Sequence, residues 1–372
     1  MIYLNHAATT YPKPPTVLEA VHQTLASPPC ETTRSTSCEK DIADICRNIV
    51  APVLGVRKPS RIFFTSGATE SYNLILRGLD PSGKTSLIST YEHNALLRPL
   101  WALTGGNDVC MITPGDDGLL SPDDIRAKAK DAAFVFVNHC SNVTGAVQNL
   151  SALAIAAHDS GALLIVDVSQ SAGLMPLSLE DDAIDIAVFT GHKAFFGPAG
   201  IGGFYLREGV SLPAAKWGGT GSGGREILSK EPEQFEVGTQ NLCGLAGLAA
   251  GASFVLEIGL DEIASRIKNH IARIFSSLRA IEGVHIYGTP SGSASIAFNI
   301  DGLSPADTGY ILHREYDIVT RTGFHCAPLL ADVISAPQGT VRASISYMTT
   351  DAEIDQLIQA VAELSAGVMG VS

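Results

Sequence analysis

The sequence predicts an α/β protein. A large unit is built on a mostly parallel, seven-stranded sheet covered by helices, and a smaller α+β unit follows it. Three observations lead there. The 372 residues suffice for about two domains. From residue 60 onward, short apolar runs rich in β-formers alternate with helical patterns, the signature of a mainly parallel sheet with helices on both faces. Near residue 250 that rhythm gives way to two long helical stretches and then a strand–helix–strand pattern.

Taken in order, residues 1–15 end in Pro12-Lys13-Pro14-Pro15 and read as an extended arm. Thr16 is placed to cap a helix running to about Leu25. The seven strands are Arg61–Thr65, Thr85–Ser89, Val109–Ile112, Ala133–Asn138, Leu163–Asp167, Ile186–Thr190 and Gly202–Leu206. Pro122–Ala129 and Leu150–Ser160 are helices between them. Leu212–Phe235, with its Gly218-to-Gly224 run of Gly, Ser and Thr, reads as a long mobile loop. The large unit spans 16–250 and the small unit 251–372. The second region carries helices over Leu242–Ile258 and Glu262–Ile281 and strands over Ser295–Ile300, Ile318–Thr322 and Thr340–Ser346. Further helices cover Ala306–Glu315 and Asp351–Ala366.

Composition narrows the function classes. Hydrophobic residues make up 45 % and charged residues 17 %, a balance that supports a packed core. The net charge of −13 and the lack of any Lys/Arg run argue against nucleic-acid binding. No apolar run approaches the ~20 residues that span a bilayer. The N-terminus lacks the basic and apolar regions of a signal peptide, so a cytoplasmic protein with no membrane partner is expected. In that compartment the seven cysteines are expected to be mostly free thiols.

Chemistry-bearing residues fall at the expected strand ends, where α/β sheets form their sites. Asp167 closes the run Leu163-Leu164-Ile165-Val166, where a carboxylate needs a partner. An arginine, a capping role or a ring cation would each serve. Lys193, in Thr190-Gly191-His192-Lys193, lies between an apolar strand and Phe195-Phe196-Gly197-Pro198, unlike a solvated surface lysine. An amine and a carboxylate so placed suit pyridoxal 5'-phosphate (PLP): the lysine holds the cofactor aldehyde and the aspartate keeps the ring nitrogen protonated. Thr65-Ser66-Gly67-Ala68-Thr69-Glu70 opens a helix and suits a phosphate, or is an ordinary N-cap made by Ser66 or Thr69. His93 is either a loop histidine or a ring stacked on the cofactor. Asn142 is either a turn residue or a partner of the cofactor's phenolic oxygen, and Gln170 is a second candidate for that oxygen.

At this point the chain resembles the fold-type I, class V aminotransferase-like PLP enzymes, and within them the cysteine desulfurase and selenocysteine lyase group. The resemblance is carried in order by Asn5-His6-Ala7-Ala8-Thr9-Thr10, Thr65 to Glu70, Asp167 to Gln170, Gly191-His192-Lys193, Glu236-Val237-Gly238-Thr239, Arg321-Thr322-Gly323-Phe324-His325-Cys326 and Val341-Arg342-Ala343-Ser344. It implies that Lys193 is the Schiff-base lysine and proton carrier, that His93 is the stacking residue, and that Asp167 pairs with the ring nitrogen. It puts Asn142 and Gln170 at the ring oxygen or substrate, and Ala68, Thr69, Thr190 and His192 at the phosphate. Thr239 would reach the phosphate of a neighbouring subunit in a homodimer with shared sites. Asn5, Ala7, Asn142 and Arg342 would contact an amino-acid substrate, L-cysteine above all, with Arg342 clamping its carboxylate. Cys326 would attack the substrate sulfur, giving alanine and an enzyme persulfide for an acceptor protein. Its thiolate would be favoured by His325 or by a cationic site.

The chain also departs from the family pattern. Phe324-His325 stands where two histidines are common, and Tyr347-Met348-Thr349-Thr350 lacks a usual Asn. Cys30, Cys38 and Cys46 recur at a spacing of eight in a segment where relatives carry Gly, Arg and His, but this fits no common zinc pattern, and no metal is expected. Selenocysteine lysis, C–S β-elimination and transamination remain open on the same scaffold. So does a non-enzymatic role as a sulfur carrier or scaffold.

Overall fold

The computed structural model describes residues 1–29, 41–220, 231–290 and 292–369. In chain order the elements are β1 (Ile2–Tyr3), α1 (Pro15–Ala26), α2 (Ile42–Leu54), β2 (Ile62–Thr65), α3 (Ala68–Leu79), β3 (Thr85–Ser89), α4 (Asn94–Thr104), β4 (Val109–Ile112), α5 (Pro122–Lys128), β5 (Ala132–Asn138), α6 (Leu150–Asp159), β6 (Leu163–Asp167), β7 (Ile186–Thr190) and β8 (Gly202–Leu206). Then come α7 (Leu242–Ile258), α8 (Leu260–Arg279), β9 (Val284–Tyr287), β10 (Ser295–Ile300), α9 (Pro305–Tyr316), β11 (Ile318–Val319), β12 (Arg321–Gly323), α10 (Leu330–Val333), β13 (Thr340–Ser344) and α11 (Asp351–Met369).

The seven expected strands form one sheet in the order β2-β8-β7-β6-β5-β3-β4. Its pairs are parallel except for those of β8, which runs antiparallel to both neighbours. Strands such as β7 and β8 are buried along their whole length, because helices cover both faces. Apolar residues therefore fill them continuously instead of alternating. The strand order reverses between β5 and β3, and at such a switch point the loops beyond the strand ends part and leave a crevice. His93 follows β3 and Asn142 follows β5, one on each side of it.

A second, antiparallel sheet has the order β12-β13-β10-β9. The expected strand Ile318–Thr322 is split between two sheets. β11 pairs in parallel with β1, while β12 pairs with β13. The N-terminal arm is thus partly a strand, and Leu4 N–H and Ser344 N–H extend its attachment. Helices α2 and α4 were not expected from the sequence. Each contains a proline, Pro52 and Pro99, which reads as a helix breaker.

Helix α7 bears directly on the site. A Cβ at Gly251 would lie 2.1 Å from Phe195 O, and one at Gly247 would lie 2.7 Å from Pro198 Cδ. Those glycines let the helix backbone press against the turn that follows Lys193. Among the described residues no single helix is long and apolar enough to cross a membrane.

Candidate active site

The ends of β2, β5, β6 and β7 converge on a cavity of about 330 Å³, lined by Lys193, Asp167, His93, Asn142, Gln170, Thr190 and His192 among others. Ala68 and Thr69, at the start of α3, line it too, as does Ala7 from the N-terminal arm. The sheet thus gathers residues far apart in sequence.

Lys193 sits in a turn whose backbone is held on both sides. Thr10 Oγ1 donates to Lys193 O at 2.6 Å, and Phe196 N–H donates to the same oxygen at 2.8 Å. Burial brings the Lys193 amine down to about 8, and the nearby Arg342 and Arg321 cations push the same way against the pull of Asp167. A free amine is thereby accessible near neutral pH. Asp167 is buried at the end of β6 and accepts the Ser169 N–H at 2.8 Å.

His93 is the N-cap of α4: its Nδ1 accepts the Ala95 N–H at 3.0 Å. Burial, with Lys193 alongside, lowers the ring to about 4, so it is neutral at pH 7. With Nδ1 used as an acceptor, the single ring proton of the neutral form belongs on Nε2.

The start of α3 is capped by Gly67 at φ +147°, with no side-chain cap. That left-handed backbone favours glycine. The alternative reading, an N-cap made by Ser66 or Thr69, is not realised, and Glu70 takes the Ser66 N–H at 2.7 Å. Helix N–H groups remain for a ligand at the cavity edge. Four polar atoms of cavity-lining residues also lack a protein partner: Asn138 Oδ1, Asn142 Oδ1, Ser169 Oγ and His192 Nδ1. Buried polar atoms of this kind are rarely left unsatisfied. Together with the lysine and aspartate they match a polar, anionic, ring-bearing group such as PLP.

Other expected residues are placed differently. Gln170 lines the cavity, but its amide N–H donates to Ala7 O at 3.0 Å. Thr239 lines a neighbouring hollow with Ser66, Glu70 and Lys216, outside the Lys193 cavity. Arg342, on β13, is fully buried. Its Nη1 donates to Asn142 O at 2.9 Å and its Nη2 to Asn5 Oδ1 at 3.2 Å, while Nε has no partner. Burial, reinforced by the Arg321 charge, lowers it to about 9. The guanidinium that does line the cavity is that of Arg321. Sequence reasoning quoted Arg321 within a motif but gave it no role.

Cys326 is half-buried, and Arg321 Nη2 donates to its Sγ at 3.0 Å. Its backbone is tightly set. Asn94 N–H, at the start of α4, donates to Cys326 O at 2.8 Å, and Asn142 Nδ2 donates to His325 O at 2.7 Å. His325 and Cys326 both adopt left-handed backbone, at φ 52° and 63°. His325 does not serve the thiol. Its Nε2 faces Thr340 O and Oγ1, and burial beside the two arginines lowers it to about 3, so it carries no charge. The positive charge beside Cys326 comes from Arg321. Of the three spaced cysteines, Cys30 and Cys38 lie outside the described residues. Cys46 is buried on α2, where burial raises its thiol well above the ordinary range.

Comparison with known proteins agrees with this architecture. The chain belongs to the class-V aminotransferase family, whose model matches residues 2–357. It is 33 % identical to a probable cysteine desulfurase of Methanothermobacter thermautotrophicus, over 82 % of this chain and 79 % of that one. A probable cysteine desulfurase of Pyrococcus abyssi is 30 % identical over 98 % of this chain and 94 % of that one. The apo structure of the cysteine desulfurase from Thermococcus onnurineus NA1 matches with a TM-score of 0.85 and 30 % identity, covering 98 % of this chain and 95 % of that chain. The Escherichia coli cysteine desulfurase CsdA, in an S-sulfonic acid form, matches at 0.87 and 26 %, covering 98 % and 94 %. The family and fold expected from the ordered motifs are thereby borne out.

Proposed function

We propose that this chain is a PLP-dependent cysteine desulfurase that converts L-cysteine to L-alanine and leaves a persulfide on Cys326. The observation that carries the reading is the Arg321–Cys326 contact at the rim of the cavity holding Lys193 and Asp167. It puts a thiol under a fixed positive charge beside an amine-and-carboxylate pair.

Lys193, Asp167, His93, Asn142, Gln170, Thr190, His192, Ala68 and Thr69 would hold the cofactor. When bound, PLP supplies an electrophilic aldehyde and a protonated ring that draws electrons from the substrate Cα. Lys193 Nζ would take up and return the proton, and Asp167 would supply the negative charge that the protonated ring needs. His93, neutral and protonated on Nε2, would offer a proton within the same cavity. Arg321 and Arg342 place two cations at the end where a substrate carboxylate would bind, with Asn5, Ala7 and Asn142 shaping that end.

The Cys326 thiolate attacks the substrate sulfur. The S–S bond forms, the substrate Cβ–S bond breaks, and Cβ takes up a proton to leave as alanine. The persulfide then passes to an acceptor, such as a sulfur-carrier protein. Residues 16–250 would form the cofactor unit and 251–372 the unit that supplies the thiol. The separate hollow at Thr239 supports a homodimer in which that residue serves the partner's phosphate.

Product analysis tests this reading. Incubation with cysteine and a reductant should release alanine and sulfide in equal amounts. Pyruvate with ammonia would instead mean β-elimination, and a keto-acid-dependent amine exchange would mean transamination.

A further inference from the structure

Glu92 precedes His93 and has no part in the reaction described above. It is fully buried. Its Oε1 accepts two hydrogen bonds, from Ser89 Oγ at 2.6 Å and from Asn138 N–H at 2.7 Å. Ser89 ends β3 and Asn138 ends β5, so this one oxygen joins the two strands across the switch point. Asn138 is also paired in register with Asp167 on β6. Glu92 Oε2 has no partner, and neither has the fully buried Tyr72 hydroxyl of α3. Among the described residues the ionisable groups that act on Glu92 and Tyr72 are acids: Asp167 acts on both and Glu92 on Tyr72.

A buried, unpaired carboxylate next to a second carboxylate is strongly disfavoured, and such a group keeps its proton instead. The same Glu92 side chain fixes the turn whose next residue, His93, caps α4. We propose that Glu92 is a positioning residue: a neutral carboxylic acid that ties the His93 turn to β5 beside Asp167 and adds no second negative charge next to that carboxylate. The role of the His93–Asp167 pair rests on the function proposed above; the state of the Glu92 carboxyl does not.

Burial, with the charge of Asp167 adding to it, pushes the Glu92 acid up to about 8. In the unfolded chain the same group ionises near its ordinary value of 4.5. The folded state therefore gains from the neutral acid fully at low pH. That gain declines as pH rises from about 4.5 and is gone above about 8. Glutamine has the same shape, can accept both hydrogen bonds through its Oε1, and never ionises.

The test compares holoenzyme of the wild type, Glu92→Gln and Glu92→Ala. The infrared difference spectrum of wild type minus Glu92→Gln at pH 7 should contain the carbonyl stretch of a neutral carboxylic acid. The thermal midpoint of Glu92→Gln, relative to wild type, should rise from pH 5 to about pH 8 and level off above it. Turnover of cysteine should fall about tenfold or more in Glu92→Ala, through displacement of His93, and return to within about twofold of wild type in Glu92→Gln. A missing acid band, or a midpoint difference that does not change with pH, overturns the neutral acid. Equal turnover losses in the two variants overturn the positioning role. Should Glu92→Ala fail to fold, the Glu92→Gln spectrum and midpoints still decide. Failure of the desulfurase reading would show in the wild type itself, which would then release no alanine.

Discussion

The two ends of the active-site cavity are built in different ways. One end is the rim of the parallel sheet, where Asp167, Thr190 and Lys193 project from or just after consecutive strands and the Lys193 carbonyl is held by Thr10 Oγ1 and Phe196 N–H. The other end is a turn from the smaller sheet, where Cys326 and His325 adopt left-handed backbone and are held from outside by Asn94 and Asn142. The first end serves any reaction that needs an anchored aldehyde and an electron-accepting ring. On the proposed function the second end, with a thiol under Arg321 and a buried Arg342 nearby, would direct the chemistry to sulfur. The scaffold thus separates a generic half from a reaction-choosing half.

Substitutions in the two halves should therefore fail differently. Lys193→Ala removes the amine itself and should lower alanine formation by about 10⁴-fold, in the upper range for a lost proton-transfer group, as measured by steady-state product release. A loss under about tenfold would show that the sheet end is not where the reaction is anchored. Arg342→Ala should keep the cofactor's absorption spectrum and raise KM for cysteine by about 10- to 100-fold, the scale of one charge-assisted contact. A comparable fall in kcat with an unchanged KM would place Arg342 with the reacting groups instead.

Two smaller effects sharpen the division. The Lys193 amine, lowered to about 8, is mostly protonated below that pH and free above it. The rate at which apoprotein takes up PLP should therefore rise about tenfold per pH unit below pH 8 and level off above it, followed by absorbance. A rate independent of pH between 6 and 8 would contradict the lowered value. Arg321→Gln should slow alkylation of Cys326 by iodoacetamide at pH 7 by up to about tenfold and, because the Arg321 charge is only a minor contributor to lowering the Lys193 amine, slow PLP uptake by a smaller factor. An equal effect on both would erase the separation between the halves.

The sheet half was legible in the sequence because its signals are local. Apolar runs end in a polar residue at the point where the strand leaves the core, as with Val166 and Asp167 or Phe189 and Thr190. The turn half was legible only as a motif, since the contacts that define it are distant in sequence. Nothing near His325 announces that it turns toward Thr340, or that Arg321 supplies the charge at Cys326. Arg342 shows the same limit. The family resemblance implied a carboxylate clamp, whereas the fold also engages it with Asn142 O and Asn5. Glu92 was passed over because its significance lies in two strands that only tertiary structure brings together.

The central claim is that sulfur leaves cysteine by forming a bond to Cys326. Its most direct test is the intact mass of the holoenzyme after brief incubation with L-cysteine without a reductant, with the modified residue located by peptide mapping. The account predicts a gain of one sulfur atom on Cys326, matched by one equivalent of alanine and reversed by a thiol reductant. An unmodified Cys326 alongside continued alanine and sulfide release, or the same release from Cys326→Ala, would contradict it.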